Sequence, residues 1–374
     1  MSVDVRPVGS RRELKRFVKL PWRLYSNEPN WIPPLIIERM RFLDRGKNPF
    51  FEHGEAEYFL AWRDGEPVGR ITAQIDRNFV EFHGENIGHF GFFESGEDPE
   101  IARALVAAAE GWLRERGMER MQGPFDFTMN DECGVLIEGH EIKPMMRQPY
   151  QLRYYPALLE GAGMQKAMDL LMWHLHISDR EKLLPVLFEL AERLEPDHGI
   201  TVRHMRKSDL ADEVERFREV YNAAWSDNWG FVPQTKEELQ HAAKEFKFLL
   251  DEDWFMVAEK DGRVAGAALS FPDLNELIDG MNGRLLPFGW WKLLTRRGQI
   301  RRLRVGFLGV MPEFQHTGVA AAFYVEHFDM AAKSRIKEGE MGWILETNEA
   351  MNRGMEAMGG RVVKKYRVYE KRFA

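Results

Sequence analysis

Hydrophobic and polar residues alternate in the same order in both halves of the chain. Each half has an apolar strand, a turn containing Asp-Gly, and a second strand: YFLAWRDGEPVGRITAQIDRNF from Tyr58 and WFMVAEKDGRVAGAALSFPDLN from Trp254. Asp-Gly between two apolar runs is a strong hairpin signal. The turns at Asp64-Gly65 and Asp261-Gly262 therefore predict one β-hairpin in each half.

Each hairpin is followed by a further strand-like run, IGHFGFF or RVGFLGV, and then by a helical pattern. The apolar residues of these patterns recur every three or four positions, at Ile101, Leu105, Ala108 and Trp112 and at Ala321, Val325, Phe328 and Ala332. That spacing places them on one face of a helix. Each half then ends in a strand, a short helix that reaches a glycine, and a closing strand.

Two copies of one mixed α/β unit explain this shared order. The connector LEPDHGI separates the copies, because Pro196 and Gly199 interrupt a helical pattern there. We therefore predict two domains, over residues 1–180 and 198–374.

Composition narrows the class of protein. The chain has 374 residues, a net charge of -7 and a single cysteine, Cys133. An acidic balance argues against a general DNA-binding protein, and one cysteine excludes an internal disulfide and fits a reducing compartment. The first residues have no apolar core of a signal peptide, and no run of eighteen apolar residues exists, so we expect a cytoplasmic protein.

The stretch VMPEFQHTGVAAAF, from Val310 to Phe323, joins a strand to a helix through small residues. Such a turn exposes unpaired backbone N–H groups at the positive end of the helix dipole, which is an anion site. Gly318 and Ala320 keep side chains away from a bound phosphate. A turn with no ligand is the structural alternative.

This stretch resembles the pyrophosphate loop of GNAT-type acyltransferases, whose pattern is Gln/Arg-x-x-Gly-x-Gly/Ala. Gln315, Gly318 and Ala320 fill the three positions, and ETNEAMNRGMEAMGG resembles the next motif of the family through Asn348 and Gly359. The resemblance covers the second half well and the first half by layout only. It identifies the chain as similar to bacterial proteins with two tandem GNAT-like domains, each a twisted mixed sheet flanked by helices.

The resemblance implies a function and a donor site. It implies an N-acyltransferase that moves an acyl group, acetyl in the first instance, from acyl-coenzyme A to a small-molecule amine, with no metal. Backbone groups of a splayed strand would pair with the pantetheine arm. The implied donor-binding residues are Leu308, Gly309, Val310, Gln315, His316, Thr317, Gly318, Val319, Ala320 and Asn348.

The first half departs from the family pattern. Its counterpart of the loop reads FFESGEDPEIARALV, in which acidic residues, Glu94, Glu97, Asp98 and Glu100, surround the helix start. These carboxylates suit a helix N-terminus but would repel a pyrophosphate. We expect this copy to bind no coenzyme A; it either helps to shape the acceptor site or is a structural relic.

Three polar and aromatic segments are candidates for acceptor binding. YNAAWSDNWGFVP joins the first two predicted helices of the second copy and offers Trp225, Asp227 and Asn228. The first copy offers Asn130 and Glu132 in FDFTMNDECG and Tyr155 in YQLRYYP. Solvated loops and core packing are the alternatives for all three segments.

A long insertion separates the third and fourth strands of the second copy. It combines apolar residues, Leu285, Leu286, Phe288, Trp290, Trp291, Leu293 and Leu294, with basic ones, Lys292, Arg296, Arg297, Arg301, Arg302 and Arg304. Such a segment, over residues 284–304, can lie on a membrane surface, cover a long acyl chain, contact tRNA or pack on the neighbouring domain.

The general acid is not identified by the sequence. Many relatives place a Tyr seven residues after the position of Asn348, and Met355 stands there. A thioether has no proton to donate. The alternatives are Tyr221, Tyr366, Tyr369 and a water held by Asn348. Long-chain acyl or aminoacyl transfer and a non-catalytic coenzyme A-binding or scaffold role remain alternative functions, and the oligomeric state is open.

Overall fold

A computed structural model of the chain describes residues 2–246, 250–287 and 289–373, so Phe288 of the insertion lies outside the described residues. The chain divides into two compact units. Unit 1 comprises Met1–Leu170, Ile278–Trp291 and Lys364–Ala374, and unit 2 comprises Leu171–Leu277 and Lys292–Val363. The domain limits of 1–180 and 198–374 describe sequence copies and stay a prediction.

Strands and helices alternate through both halves. The strands are β1 (Asp4–Pro7), β2 (Gly54–Arg63), β3 (Glu66–Asp76), β4 (Ile87–Ser95), β5 (Arg120–Gly123), β6 (Val135–Glu138), β7 (Gln165–His176), β8 (Thr201–His204), β9 (Phe255–Lys260), β10 (Arg263–Pro272), β11 (Arg302–Val310), β12 (Glu338–Leu345) and β13 (Arg361–Arg372). The helices are α1 (Arg11–Lys19), α2 (Pro21–Leu24), α3 (Ile36–Phe42), α4 (Phe50–His53), α5 (Arg77–His83), α6 (Pro99–Arg114), α7 (Tyr155–Gly161), α8 (Pro185–His198), α9 (Leu210–Ala224), α10 (Lys236–Phe246), α11 (Asn275–Ile278), α12 (Gly289–Arg296), α13 (Val319–Lys333) and α14 (Glu349–Ala357).

In unit 1 the strands lie in the order β1, β2, β3, β4, β5 and β13, and β6 also pairs with β13. The β4–β5 pair is parallel and the others are antiparallel. The predicted hairpin at Asp64-Gly65 is confirmed, and both residues have positive φ, 55° and 79°. Two successive positive φ values are the geometry that selects Asp-Gly in two-residue hairpins.

In unit 2 the order is β12, β11, β10, β9 and β8, with β11–β12 parallel and the other pairs antiparallel. The hairpin at Asp261-Gly262 is confirmed too, with φ of 50° and 78°. Each unit is thus a mixed sheet flanked by helices, as expected of tandem GNAT-like domains. Among the described helices none is long and apolar enough to cross a membrane.

The closing strands are exchanged between the sequence copies. The last strand, β13, pairs in unit 1 with β5, where Tyr369 faces Gly123 and Arg372 faces Arg120. The residues of β7 from Leu171 onward belong to unit 2, where β7 neighbours β12. Each copy's final strand therefore completes the sheet of the other unit.

Helix α13 is fixed on the sheet of unit 2 by a buried histidine. His327 Nδ1 lies 2.7 Å from the Phe323 carbonyl and Nε2 lies 2.8 Å from Ser270 Oγ. Because a carbonyl only accepts, Nδ1 carries the proton and Nε2 accepts from the serine hydroxyl. Burial lowers the pKa of His327, so the neutral ring is the form that this site holds.

Candidate functional site

Strands β11 and β12 diverge in the middle of their length. Their parallel pairing runs from Arg302 opposite Glu338 to Val305 opposite Met341, and among the described residues it stops there. On the other edge of β11 the register with β10 shifts at Gly306, which is the extra residue of a β-bulge. Backbone groups of β11 beyond Val305 therefore leave the ladder on the side of β12, which is the splay that the GNAT resemblance implies.

Two of the three predicted strand residues have structural roles at this splay. A side chain at Gly309 would lie 2.5 Å from the Phe307 ring and 3.1 Å from Ala224 Cβ, so the glycine permits this packing. The Leu308 carbonyl accepts a hydrogen bond from Trp225 Nε1 at 3.3 Å. Val310, the third residue, ends the strand and faces Gly266 of β10.

The loop after β11 is shaped by a short turn and by two left-handed residues. Pro312–Phe314 forms a 3₁₀ turn, and Thr317 Oγ1 donates to the Phe314 carbonyl at 2.6 Å. His316 and Gly318 have φ of 69° and 100°. A side chain at Gly318 would also lie 2.9 Å from the Leu190 carbonyl oxygen. Glycine at this position therefore satisfies both the backbone conformation and the close approach of α8.

The N-terminus of α13 has the electrostatic character of an anion site. The first bond of the helix runs from Ala322 N–H to the Gly318 carbonyl at 3.0 Å. In the described part of the chain, the N–H groups of Val319, Ala320 and Ala321 have no acceptor. The first turn carries no acidic residue, and Gln315 and His316 at its mouth are exposed. These donors and the helix dipole fit a phosphate or pyrophosphate group.

Asn348 caps the next helix. Its side-chain oxygen accepts from Met351 N–H at 3.1 Å, at the start of α14. Asn352, one turn later, donates to the Leu345 carbonyl at 3.0 Å and accepts from Trp173 Nε1 at 2.9 Å. Asn348 is thus placed after β12, on the other side of the splay from the loop, and its capping bond orients the first turn of α14.

The residue at the usual acid position is part of the core. Met355 is 1% exposed and belongs to the apolar cluster that contains Trp173, Phe328 and Met358. The same cluster brings Tyr324 of α13 against α14, with its hydroxyl 3.5 Å from Met351 Sδ. Burial raises the pKa of Tyr324 to about 12, so this phenol is protonated at neutral pH. Tyr324 is the one tyrosine of α13 and is absent from the candidates that the sequence offers.

The acceptor loop of unit 2 packs as an aromatic cluster. Tyr221 is buried, with its ring 5.2 Å from Trp225 and 5.6 Å from both Phe231 and Phe307. Asn228 donates its N–H to the Trp225 carbonyl at 2.9 Å, whereas the Asp227 side chain is exposed. The fold therefore brings Tyr221 and Trp225 to β11, while Asp227 faces solvent.

The other predicted residues belong to unit 1, where each has a local partner. Glu132 accepts from Arg39 at 2.8 Å, Asn130 N–H donates to Thr128 Oγ1 at 3.1 Å, and Tyr155 donates to Glu94 at 2.6 Å. Tyr366 is 0% exposed on β13, opposite Leu136. Asn130, Glu132, Tyr155 and Tyr366 are thus in a different compact unit from the splayed strand.

In unit 1 the gap beyond the paired part of β4 and β5 is filled by the chain itself. The β4–β5 pairing ends at His89 opposite Gln122, and the Phe125 N–H then donates to the Phe90 carbonyl at 2.8 Å. A side chain at Gly91 would lie 1.8 Å from the Phe125 carbonyl oxygen. The backbone after β5 therefore fills the gap that opens where the β4–β5 pairing ends.

The helix start in unit 1 is already neutralised by side chains. Asp98 caps α6 and accepts from Glu100 N–H at 2.8 Å, and Arg63 pairs with Asp98 at 2.7 Å and with Glu100 at 2.8 Å. The hydrogen bond from Arg63 lowers the pKa of Asp98. Glu94 lies apart from this pair, and burial raises the pKa of its carboxyl. An anion would meet carboxylates here rather than free N–H groups.

The structure offers few other groups for chemistry. Within the described ranges no group of three His, Cys, Asp or Glu residues is placed to hold a metal ion. His174 Nε2 lies 3.5 Å from Glu338, and its ring is 5.1 Å from His176. Cys133 is buried with its thiol reduced.

Comparison with known proteins identifies relatives along the whole chain. The chain is 38% identical over 378 residues to the bacterial ceramide synthase of Caulobacter vibrioides. The aligned residues cover 99% of this chain and 97% of that protein. It is 38% identical over 373 residues to protein YghO of Escherichia coli, covering 98% and 95% of the two chains. No family model matches the chain.

A solved structure shows the same fold. A tandem GNAT protein from the clavulanic acid biosynthesis pathway superposes with a TM-score of 0.58 at 12% identity, over 99% of this chain and 98% of that one. The chain therefore belongs to the family of the Caulobacter vibrioides bacterial ceramide synthase, and it is an N-acyltransferase with two tandem GNAT-like domains.

Proposed function

We propose that the enzyme transfers a long-chain acyl group from acyl-coenzyme A to the amine of a long-chain amino lipid such as a sphingoid base. The observation that carries the proposal is the 38% identity, over 99% of the chain, to a protein named as a ceramide synthase. A ceramide is the amide of a fatty acid with a sphingoid amine. This acyl chain is longer than the acetyl group that the family resemblance implies first.

The donor would bind unit 2 along the splay. The N–H groups at the start of α13 would hold the pyrophosphate, beside Gln315 and His316. Backbone groups of Leu308, Gly309 and Val310 would pair with amides of the pantetheine arm. The Leu308 carbonyl accepts from Trp225 in the structure. A pantetheine N–H that uses this carbonyl would compete with the indole, so donor binding would be coupled to the acceptor loop.

The reaction joins an amine to a thioester carbon. The neutral amine attacks the carbonyl carbon, the C–S bond breaks, and the amine proton ends on the departing thiolate. Backbone N–H groups that face the developing oxyanion supply electrostatic stabilisation. The thiolate is a tolerable leaving group, because an ordinary thiol has a pKa of about 8.5.

We propose that Tyr324 donates its hydroxyl proton to the thiolate and that the resulting phenolate takes up the proton lost by the amine, so that the amine proton reaches the thiolate through this phenol. Its hydroxyl is protonated, and its weak thioether acceptor at 3.5 Å is easily exchanged for a better one. We expect Tyr324→Phe to lower kcat by about 100-fold, the low end of what a positioned acid contributes, while the affinity for coenzyme A stays constant. Steady-state kinetics and calorimetry check both parts, and the matched control is Tyr154→Phe in unit 1. Unchanged kcat in Tyr324→Phe would assign the proton to another group.

A substrate matrix tests the function. Purified enzyme is given acetyl-, octanoyl- or palmitoyl-coenzyme A with each of a set of amines: sphingoid bases, a simple alkylamine and amino sugars. Amides are measured by mass spectrometry and free thiol by a colorimetric reagent. The expected product is the long-chain amide of a sphingoid base. Exclusive acetylation of water-soluble amines, or no amide with any pair, would overturn the proposal.

A further inference from the structure

Helix α1 and the residues after it present a row of cations to solvent. Each of five basic residues has another of them three or four positions away, and all five side chains are exposed: Arg12, Lys15, Arg16, Lys19 and Arg23. We call these five residues the basic stripe. They line a shallow groove of about 330 Å³, together with Leu20, Glu66 and Pro67. This concentration of positive charge stands out in a protein whose net charge is -7.

Among the described residues, most of the stripe has no counter-charge. Arg23 lies 3.6 Å from Glu66, and the Arg16 guanidinium lies over the Trp62 ring at 5.3 Å. Across the described ranges, no carboxylate is within ion-pair distance of Arg12, Lys15 or Lys19. Like charges three and four residues apart on a helix destabilise it. An anion outside the protein would offset this repulsion between the cations of the stripe.

Exposed apolar side chains lie on two other segments of unit 1, helix α3 and the first part of the insertion. Ile37 is 67% exposed, Leu286 75%, Trp290 45% and Trp291 58%. We call these four residues the apolar rim. Single exposed apolar residues are ordinary, but four large ones in two touching segments mark an interaction surface.

The rim is joined to the stripe by direct contacts within unit 1. Trp22, the neighbour of Arg23, donates its indole N–H to the Asn282 carbonyl at 3.4 Å. Ile36, the neighbour of Ile37, donates its N–H to the Gly283 carbonyl at 3.0 Å. The segment that ends in Leu286, Trp290 and Trp291 is therefore held on the helices that continue the basic stripe.

The insertion itself contributes less charge than its sequence indicates. Arg302 pairs with Asp273 at 2.5 Å and with Glu276 at 3.2 Å, and Arg304 is 7% exposed over the Trp343 ring. These arginines serve the interior of unit 2. The insertion thus supplies tryptophans and a leucine, and α1 adds a row of accessible cations.

We propose that the basic stripe and the apolar rim together form a docking surface for a membrane rich in anionic phospholipids. Lys and Arg attract the phosphate headgroups, and Trp, Leu and Ile enter the boundary between headgroups and acyl chains. A nucleic acid would satisfy the cations but would leave the rim in water, so the apolar residues favour a lipid surface. The proposal goes beyond the acyl transfer and does not depend on it.

Vesicle sedimentation without any acyl-coenzyme A tests the docking surface. The full-length protein is mixed with vesicles of phosphatidylglycerol and phosphatidylcholine in equal parts, or of phosphatidylcholine alone, at low and high salt. We expect binding to the anionic vesicles that weakens as salt rises. Each cation near an anionic surface contributes roughly a fivefold gain in affinity, so Lys15→Glu/Lys19→Glu should lower affinity at least 20-fold or so. Trp290→Ser/Trp291→Ser should weaken binding at both salt concentrations.

Matched variants separate the surface from general charge and hydrophobicity. Lys333→Glu/Arg335→Glu makes the same charge change at the end of α13, and Val186→Ser removes a 49% exposed apolar side chain from α8. Both should bind vesicles as the wild type does. Equal affinity of the stripe and rim variants with the wild type, absence of vesicle binding, or binding of tRNA without binding of vesicles would each overturn the proposal.

Discussion

Gly318→Asp is expected to abolish coenzyme A binding, and circular dichroism checks that the variant is folded, because a side chain at this position lies close to the Leu190 carbonyl oxygen. The substitution places a carboxylate where the N–H groups of Val319, Ala320 and Ala321 would meet a pyrophosphate. Two unit charges about 4 Å apart near a protein surface interact by ~4 kcal/mol, so affinity should fall on the order of a thousandfold. Unit 1 has this arrangement naturally, because Asp98 caps α6 there.

Isothermal titration calorimetry measures the outcome. The wild type should show one site per chain, since unit 1 fills its own splay with Phe125 and neutralises its helix start with Asp98 and Arg63. Gly262→Asp is the matched control: Gly262 also has positive φ, 78°, and nothing lies within 4 Å of a side chain added there. That variant should bind as the wild type does. Two equal sites in the wild type, or full affinity in Gly318→Asp, would contradict the assignment.

Arg39→Met is expected to destabilise the protein by about 3 kcal/mol. Arg39 donates to Asp126 at 3.0 Å and to Glu132 at 2.8 Å, with side chains that are only 14% and 23% exposed. Removing the cation leaves two largely buried carboxylates uncompensated, and losing one partner of a buried ion pair costs about 3–5 kcal/mol. The low end applies because both carboxylates keep some contact with water. Urea unfolding followed by circular dichroism measures the change.

The loss in unfolding free energy distinguishes a structural role from an acceptor-binding role for the polar segment around Asn130 and Glu132. Arg45→Met removes a cation that is 50% exposed beside Glu57, and it should cost less than about 1 kcal/mol. Adding Asp126→Asn and Glu132→Gln to Arg39→Met should restore most of the stability. If Arg39→Met instead left stability unchanged and lowered the apparent affinity for the amine, the cluster would be an acceptor site rather than a structural network.

The sequence alone determined the features that depend on neighbouring residues. Asp64-Gly65 and Asp261-Gly262 predict their hairpins because only a few residue types adopt two successive positive φ values. The residues Gln315–Ala320 likewise predict a site from local sequence alone. Wherever a strand passes through a glycine turn into a helix, the first N–H groups of that helix are exposed. The repeat of this order in both halves predicted two mixed α/β copies.

Tertiary structure decided which of these local features remain open to a ligand. The pairing of β11 with β12 stops at Val305, whereas the gap beyond the β4–β5 pairing is closed by Phe125, from a segment more than thirty residues along the chain. Arg302 is one of the basic residues of the insertion, but it pairs internally with Asp273. In the sequence, Met355 stands where many relatives have an acidic tyrosine. The phenol of Tyr324, which contacts Met351 of α14, comes from another helix, α13. These outcomes depend on contacts between distant segments, which hydrophobic period and turn chemistry do not encode.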